Sequence, residues 1–170
     1  LSPLEGALSA WDTPLARLVL HLLGELEPAV TRARSRWPAP RLGIFLGTST
    51  AGAATTEAAF ARYLTEGALP PAYDYEKQHT FGSILHVVRA LTGFAGPGWV
   101  VSTACTSSAK TAGAAARMLE AGVIDAAIVG GVDTLCSMTL RGFGALGALA
   151  EGRCRPFSSA ATGINIGEGG

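Results

Sequence analysis

Leu15, Leu18, Val19, Leu22, Leu23, Leu26 and Val30 recur three and four residues apart, the spacing of one apolar helix face. Asp12-Thr13-Pro14 precedes them, with Asp12 or Thr13 as the cap and Pro14 at the first helical position. Pro28 lacks the N–H a helix interior needs, so two consecutive helical pieces are expected. Arg32, Arg34 and Arg36 mark a solvated face near the end, and Trp37-Pro38-Ala39-Pro40 reads as a linker. Leu42 to Leu46 is a short apolar run, expected to form a buried strand, and Gly47 to Gly52 is the loop that leaves it. Residues 55–66 read as a helix capped near Thr55 or Thr56, Leu69 to Lys77 as irregular, and Ser83 to Leu91 as a helix ended by Gly93.

The second half repeats the alternation. Trp99 to Thr103 is a strand, Ser107 to Ala121 a helix of tiny residues ended by Gly122, and Ile124 to Val129 a strand closed by Gly130-Gly131. A helix near Met138 to Leu149 follows, and Ile164 to Ile166 opens a further strand. Strands separated by helices predict an α/β fold, a mainly parallel sheet with helices on both faces.

Composition narrows the classes. Hydrophobic residues make up 48% of the 170 and charged residues 15%, a balance that supports a core and opposes disorder. Lys+Arg and Asp+Glu are 13 each, so a basic nucleic-acid stripe or an acidic tail is not the leading idea. No uncharged run is long enough to span a membrane, and Leu1 to Ala10 lacks the basic start of a signal peptide. Cys105, Cys136 and Cys154 are odd in number and widely spaced, against a disulfide framework or a zinc knuckle, so a reducing cytoplasm is the expected location. The chain opens without Met and stops at Gly167-Glu168-Gly169-Gly170, and is read as a fragment over residues 1–170.

Chemistry concentrates where the second strand meets the helix of small residues, in Val101-Ser102-Thr103-Ala104-Cys105-Thr106-Ser107-Ser108. Cys105 sits at the corner, where unpaired helix N–H groups and the positive end of the dipole favour a thiolate and offer donors to an oxyanion. Small residues on nearly every side of Ala109 to Ala116 predict a helix enclosed by other backbone. Cys136 and Cys154 lack this context and read as structural. Gly47 to Gly52 lacks the Lys-Ser/Thr end of a phosphate loop. Lys110 reads as a packing or solvated residue, and Glu168 as a buried structural carboxylate in preference to a general base.

Thr103-Ala104-Cys105-Thr106-Ser107-Ser108 resembles the nucleophile motif of the β-ketoacyl-acyl carrier protein synthases. Gly122 to Asp133 (GVIDAAIVGGVD), Phe143 to Leu149, Arg153 to Phe157 and Gly163 to Gly169 (GINIGEG) resemble that family's later motifs in order, and GIFLGTSTAG resembles its first-half strand and loop. The likeness covers residues 12–170, and Thr-Ser-Thr with GINIGEG is similar to the synthases of aryl-polyene pathways. Ser158 and Thr162 stand where the family usually carries Asp, which puts the geometry of that loop in question.

The resemblance implies the N-terminal half of a thiolase-like fold, with Cys105 as acyl acceptor. It implies an acyl carrier protein as partner, substrates carried on its phosphopantetheine, and no other cofactor. It implies a homodimer, or a heterodimer with a related subunit, paired through the strand Trp99 to Thr103, with Tyr73, Tyr75 and Phe81 near the acyl tunnel and the partner. The family's two catalytic histidines lie in its second half, and His21, His79 and His86 have neither motif. A thiolase, a non-catalytic chain-length subunit and a cysteine hydrolase are the rival readings. Cys105 opposes the second, and the third needs a supporting histidine.

Overall fold

The computed structural model describes residues 1–170. Its elements are α1 (Pro14–Arg36), β1 (Leu42–Gly47), α2 (Ala53–Glu66), α3 (Tyr75–Gln78), α4 (Phe81–Thr92), β2 (Gly98–Val101), α5 (Ser107–Glu120), β3 (Ala126–Gly131) and α6 (Ser137–Ala145). Short 3-10 turns lie at Gly6–Trp11 and Ala39–Arg41. The three strands form one parallel sheet in the order β2-β1-β3, with Phe45 level with both Trp99 and Val129.

β1 is the axis of the fold because its side chains alternate between two buried faces. Leu42, Ile44 and Leu46 enter a core with Leu15 and Val19 of α1 and Ile84, Val87 and Val88 of α4. Phe45 faces the other way and packs with Ile124 and with Ala114 and Ala115 of α5. Gly43 and Gly47 share that second face, and Gly47 leaves room for α5 to lie on the sheet (a Cβ there would stand 2.8 Å from Ser108 N). Helices therefore cover both faces of the parallel sheet, as the alternation of strands and helices predicts.

Several boundaries differ from the sequence reading. α1 is one unbroken helix. Pro28 is exposed and sits four residues after exposed Gly24, so the carbonyl that loses its partner faces water. Thr13 is the cap, its Oγ1 accepting the Ala16 N–H at 3.1 Å. Asp12 instead accepts from Leu4 N–H and the Arg17 guanidinium. α2 starts at Ala53 with Gly52 as cap, earlier than Thr55 or Thr56. β3 begins at Ala126 and includes Gly130-Gly131, because Ile124 is buried under the sheet before the ladder starts. α6 stops at Ala145, four residues short. Ile164 makes only an isolated bridge to Leu149 instead of opening a strand. α5 buries Ser107, Thr111, Ala114 and Ala115 on one side, while Ala112 and Ala116 are exposed, so it is half-covered within this chain and not enclosed.

Two ion pairs brace the framework. Arg41 holds Asp125 with two hydrogen bonds of 2.8 and 2.6 Å and donates to Gly122 O, tying the start of β1 to the α5–β3 turn. Hydrogen bonds from Arg41 hold the Asp125 carboxyl below its ordinary range, and those from Arg17 do the same for Asp12. A carboxyl with a depressed folded value binds fewer protons folded than unfolded, so its contribution is complete above the usual Asp value of about 3.9 and lost below it. Urea midpoints measured at pH 5 and pH 3 should fall less for an Asp12→Asn/Asp125→Asn double variant than for the parent. Equal falls would refute the assignment.

Candidate active site

The site lies at the carboxyl ends of the three parallel strands, where an open α/β sheet places its ligands. β2 ends at Val101, earlier than Thr103, because residues 102–106 form a tight corner into α5. Ala104 has φ 53, the left-handed region that a non-glycine residue adopts only when its surroundings hold it there. Ser107 does the holding. Its Oγ accepts the Thr103 N–H at 2.9 Å and donates to Ala104 O at 2.7 Å, while its own N–H donates to Ala104 O at 3.0 Å. Thr106 closes the corner by donating its hydroxyl to Thr103 O at 2.9 Å.

Cys105 is thereby presented one residue before the cap of a 14-residue helix. It is an exposed free thiol, and its backbone N–H donates to no acceptor in the chain. An unengaged sulfur next to an unengaged donor is an arrangement that can attack a carbonyl carbon and receive the resulting oxyanion.

The corner rests on the neighbouring strand ends. A Cβ on Gly131 would collide with the Ser108 side chain, so α5 begins directly over β3 as well as over Gly47. The loops leaving β1 and β3 are joined by Asp133. Its Oδ1 accepts from Thr48 Oγ1 (2.8 Å), Ser49 N–H (2.8 Å), Thr50 N–H (3.0 Å) and Thr50 Oγ1 (2.9 Å). Glu57 of α2 caps α6, its carboxylate accepting the Ser137 and Met138 N–H groups at 2.7 Å each. Asp133 closes the GVIDAAIVGGVD motif with no sign of its partners, and Glu57 has no signal in its helix.

The other candidates are dispersed. His21 and His86 are exposed, and His86 stacks on Trp11 with centroids 4.3 Å apart. His79 Nδ1 hydrogen-bonds Thr56 Oγ1, which also reaches the Tyr73 hydroxyl. None of the three hydrogen-bonds Cys105. Lys110 is exposed, Cys136 is buried beside Thr139, and Cys154 is half-buried. Glu168 is exposed, with one 3.4 Å contact from Leu135 N–H, and so is not the buried carboxylate expected.

Ser158 preserves a turn without Asp, its Oγ accepting the Ala160 N–H at 3.1 Å, while Thr162 is exposed. Asn165 staples the same segment by accepting from Cys154 N–H and donating to Gly152 O. No three His, Cys, Asp or Glu side chains converge as a metal site would require. The largest groove, about 650 Å³ between α1 and β3, is lined by Leu26, Trp37, Phe94 and Ile128 among others, and by no residue of the Cys105 corner.

The family model described as "Beta-ketoacyl synthase, N-terminal domain" matches residues 15–170. A spectinabilin polyketide synthase system protein of Streptomyces orinoci is 34% identical over 92% of this chain, which spans 4% of that protein. The 3-oxoacyl-[acyl-carrier-protein] synthase 2 of Staphylococcus aureus is 28% identical over 77% of the chain and is spanned to 34%. The structure of a ketosynthase in complex with its chain length factor from Xenorhabdus doucetiae matches 99% of this chain at TM-score 0.90 and 32% identity, the chain spanning 42% of its length. That likeness gives the parallel sheet and its helices the thiolase-like architecture of condensing enzymes. With the strand-corner-helix at Cys105 inside the matched region, the chain belongs to the β-ketoacyl synthase family, over that family's N-terminal domain.

Proposed function

We propose that this chain supplies the nucleophile of a β-ketoacyl-acyl carrier protein synthase. The Cys105 sulfur attacks the carbonyl of an acyl thioester carried on the phosphopantetheine of an acyl carrier protein. The tetrahedral oxyanion collapses, the carrier leaves as its thiol after protonation, and the acyl group stays on Cys105. A malonyl-carrier thioester then loses CO₂. Its carbanion attacks the acyl-Cys105 carbonyl, the Cys105 sulfur departs, and the β-ketoacyl chain leaves two carbons longer. The histidines that stabilise the carbanion belong to the remainder of such a synthase. The substrates bring the phosphopantetheine, and the protein uses no further cofactor. We place the enzyme in the cytoplasm and in a pathway of aryl-polyene type.

The observation that carries this reading is the corner itself: an exposed thiol and a free N–H held at a helix start by the strained Ala104 backbone and Ser107. A non-catalytic chain-length role would leave that nucleophile without use. Incubating the complete protein with a radiolabelled acyl-carrier thioester tests the reading, with label expected on the peptide that contains Cys105. Label on another residue, or none, refutes it.

Assembly forms part of the same proposal. β2 is an outer strand with one unpaired edge, and its Trp99 is partly exposed. An uncovered apolar edge invites pairing, and isologous pairing with an identical or related chain would cover it. The Xenorhabdus relative was solved with a chain length factor, which favours a related subunit as the partner. Val101→Lys should shift the complete protein toward monomer in sedimentation at micromolar concentration and lower its activity. An unmutated protein that is active while monomeric, alone and with candidate partners, would refute the pairing.

A further inference from the structure

The geometry points to Asp133 as a positioning residue for Cys105, acting through the loop that follows β1. This inference rests on the assignment of Cys105 as nucleophile.

The Asp133 carboxylate gathers four donors on one oxygen, from three consecutive residues of the loop: Thr48, Ser49 and Thr50. A charged oxygen orders such a set far better than a neutral acceptor. The order extends further, because Thr48 Oγ1 also accepts the Ala51 N–H at 3.0 Å, and Ala51 is buried with φ 47. A left-handed alanine persists only where its surroundings over-determine it. Asp133 is itself anchored by its main chain, which exchanges two 3.0 Å hydrogen bonds with Gly169. The side chain is therefore a strut between two fixed points.

The loop it braces touches the Cys105 corner from both sides. The Thr48 N–H donates at 3.2 Å to the carbonyl of Val101, the last β2 residue before the corner. Gly47, next to Thr48, lies against Ser107 and Ser108, and Ser107 frames the corner through Thr103 and Ala104. Gly131, two residues before Asp133, supports Ser108 from the adjacent strand, and Val132 N–H donates to Gly47 O at 3.0 Å. The chain Asp133–Thr48–Gly47–Ser107 thus runs through one side-chain hydrogen bond, Thr48 Oγ1 to Asp133 Oδ1, the peptide link to Gly47, and a close backbone contact with Ser107. Asp133 is half-buried, and every partner of its carboxylate lies in the loop at the end of β1.

The test is made in the complete synthase with its partner subunit, using Asp133→Leu, Asp133→Asn and Thr50→Val. Displacing a reacting group by about 1 Å costs on the order of 10²-fold, and Asp133→Leu should slow acylation of Cys105 by that amount while KM for the acyl carrier changes less than about threefold. Asp133→Asn keeps an acceptor oxygen and should recover to within about tenfold of the parent. Alkylation of Cys105 by iodoacetamide needs no oxyanion donor and should stay within about threefold in every variant, which registers a folded, accessible thiol. Should Asp133→Leu fail to fold, Thr50→Val, which deletes one donor of the four, decides in its place, with a loss of about five- to tenfold expected. Parent-like acylation in both Asp133→Leu and Asp133→Asn, or in Thr50→Val when it must decide, overturns the proposal. An Asn variant no better than Leu does the same. A parent that forms no acyl-Cys105 overturns the nucleophile assignment first, and the role of Asp133 falls with it.

Discussion

Replacing Cys105 by alanine in the complete protein should abolish the proposed acyl transfer. Removal of a catalytic nucleophile leaves only what binding and the oxyanion donors supply, so the loss expected is at least about 10³-fold. Cys136→Ala and Cys154→Ala should retain activity, since Cys136 is buried beside Thr139 and Cys154 sits in a loop held through its backbone N–H by Asn165. The same order governs alkylation in the parent: iodoacetamide labels Cys105 ahead of the other two, because Cys105 alone is an exposed thiol at the start of a helix. Peptide mapping settles both points. An alanine variant with more than about a tenth of parental turnover, or first labelling of Cys136 or Cys154, would remove Cys105 from the mechanism.

Gly47→Ala has the next largest effect. The added Cβ would stand 2.8 Å from Ser107 C and Ser108 N, both backbone atoms of the first turn of α5. A flexible side chain could swing aside, but here either the helix or the strand must move. Overpacking of this kind costs about 1–3 kcal/mol, and the shift is delivered to the turn that frames Cys105. We expect a lower urea midpoint together with a loss of acylation on the order of 10²-fold. Gly24→Ala is the control. Nothing lies within 4 Å of a Cβ there, and alanine in an exposed helix position should stabilise by about 0.5–1 kcal/mol with activity unchanged. A Gly47→Ala protein as stable and active as the parent would show that α5 has slack against the sheet.

Local pattern was enough for much of this molecule. The apolar spacing from Leu15 to Val30 located α1, and the run at Leu42 to Leu46 located the central strand, because burial on one or two faces imposes a period that side chains must obey. Cys105 was legible for the same reason. A strand, a corner and a helix of small residues are contiguous in the chain, so the chemistry of the corner is encoded within a dozen residues.

Tertiary structure alone decided the rest. Pro28 left α1 whole because the bond it removes faces water, a fact of packing that no local pattern carries. The order β2-β1-β3 places Gly47 and Gly131 side by side beneath Ser107 and Ser108, although they are distant in sequence. Asp133 reaches Thr48 across 85 positions and Glu57 reaches Ser137 across 80. Sequence reading does not name a carboxylate's partner, because the partner is chosen by which strand ends and helix starts the packed sheet brings within hydrogen-bond distance. The strand, corner and helix around Cys105 were therefore written in the local chain, and the Asp133 contacts that join the strand ends were written only in the fold.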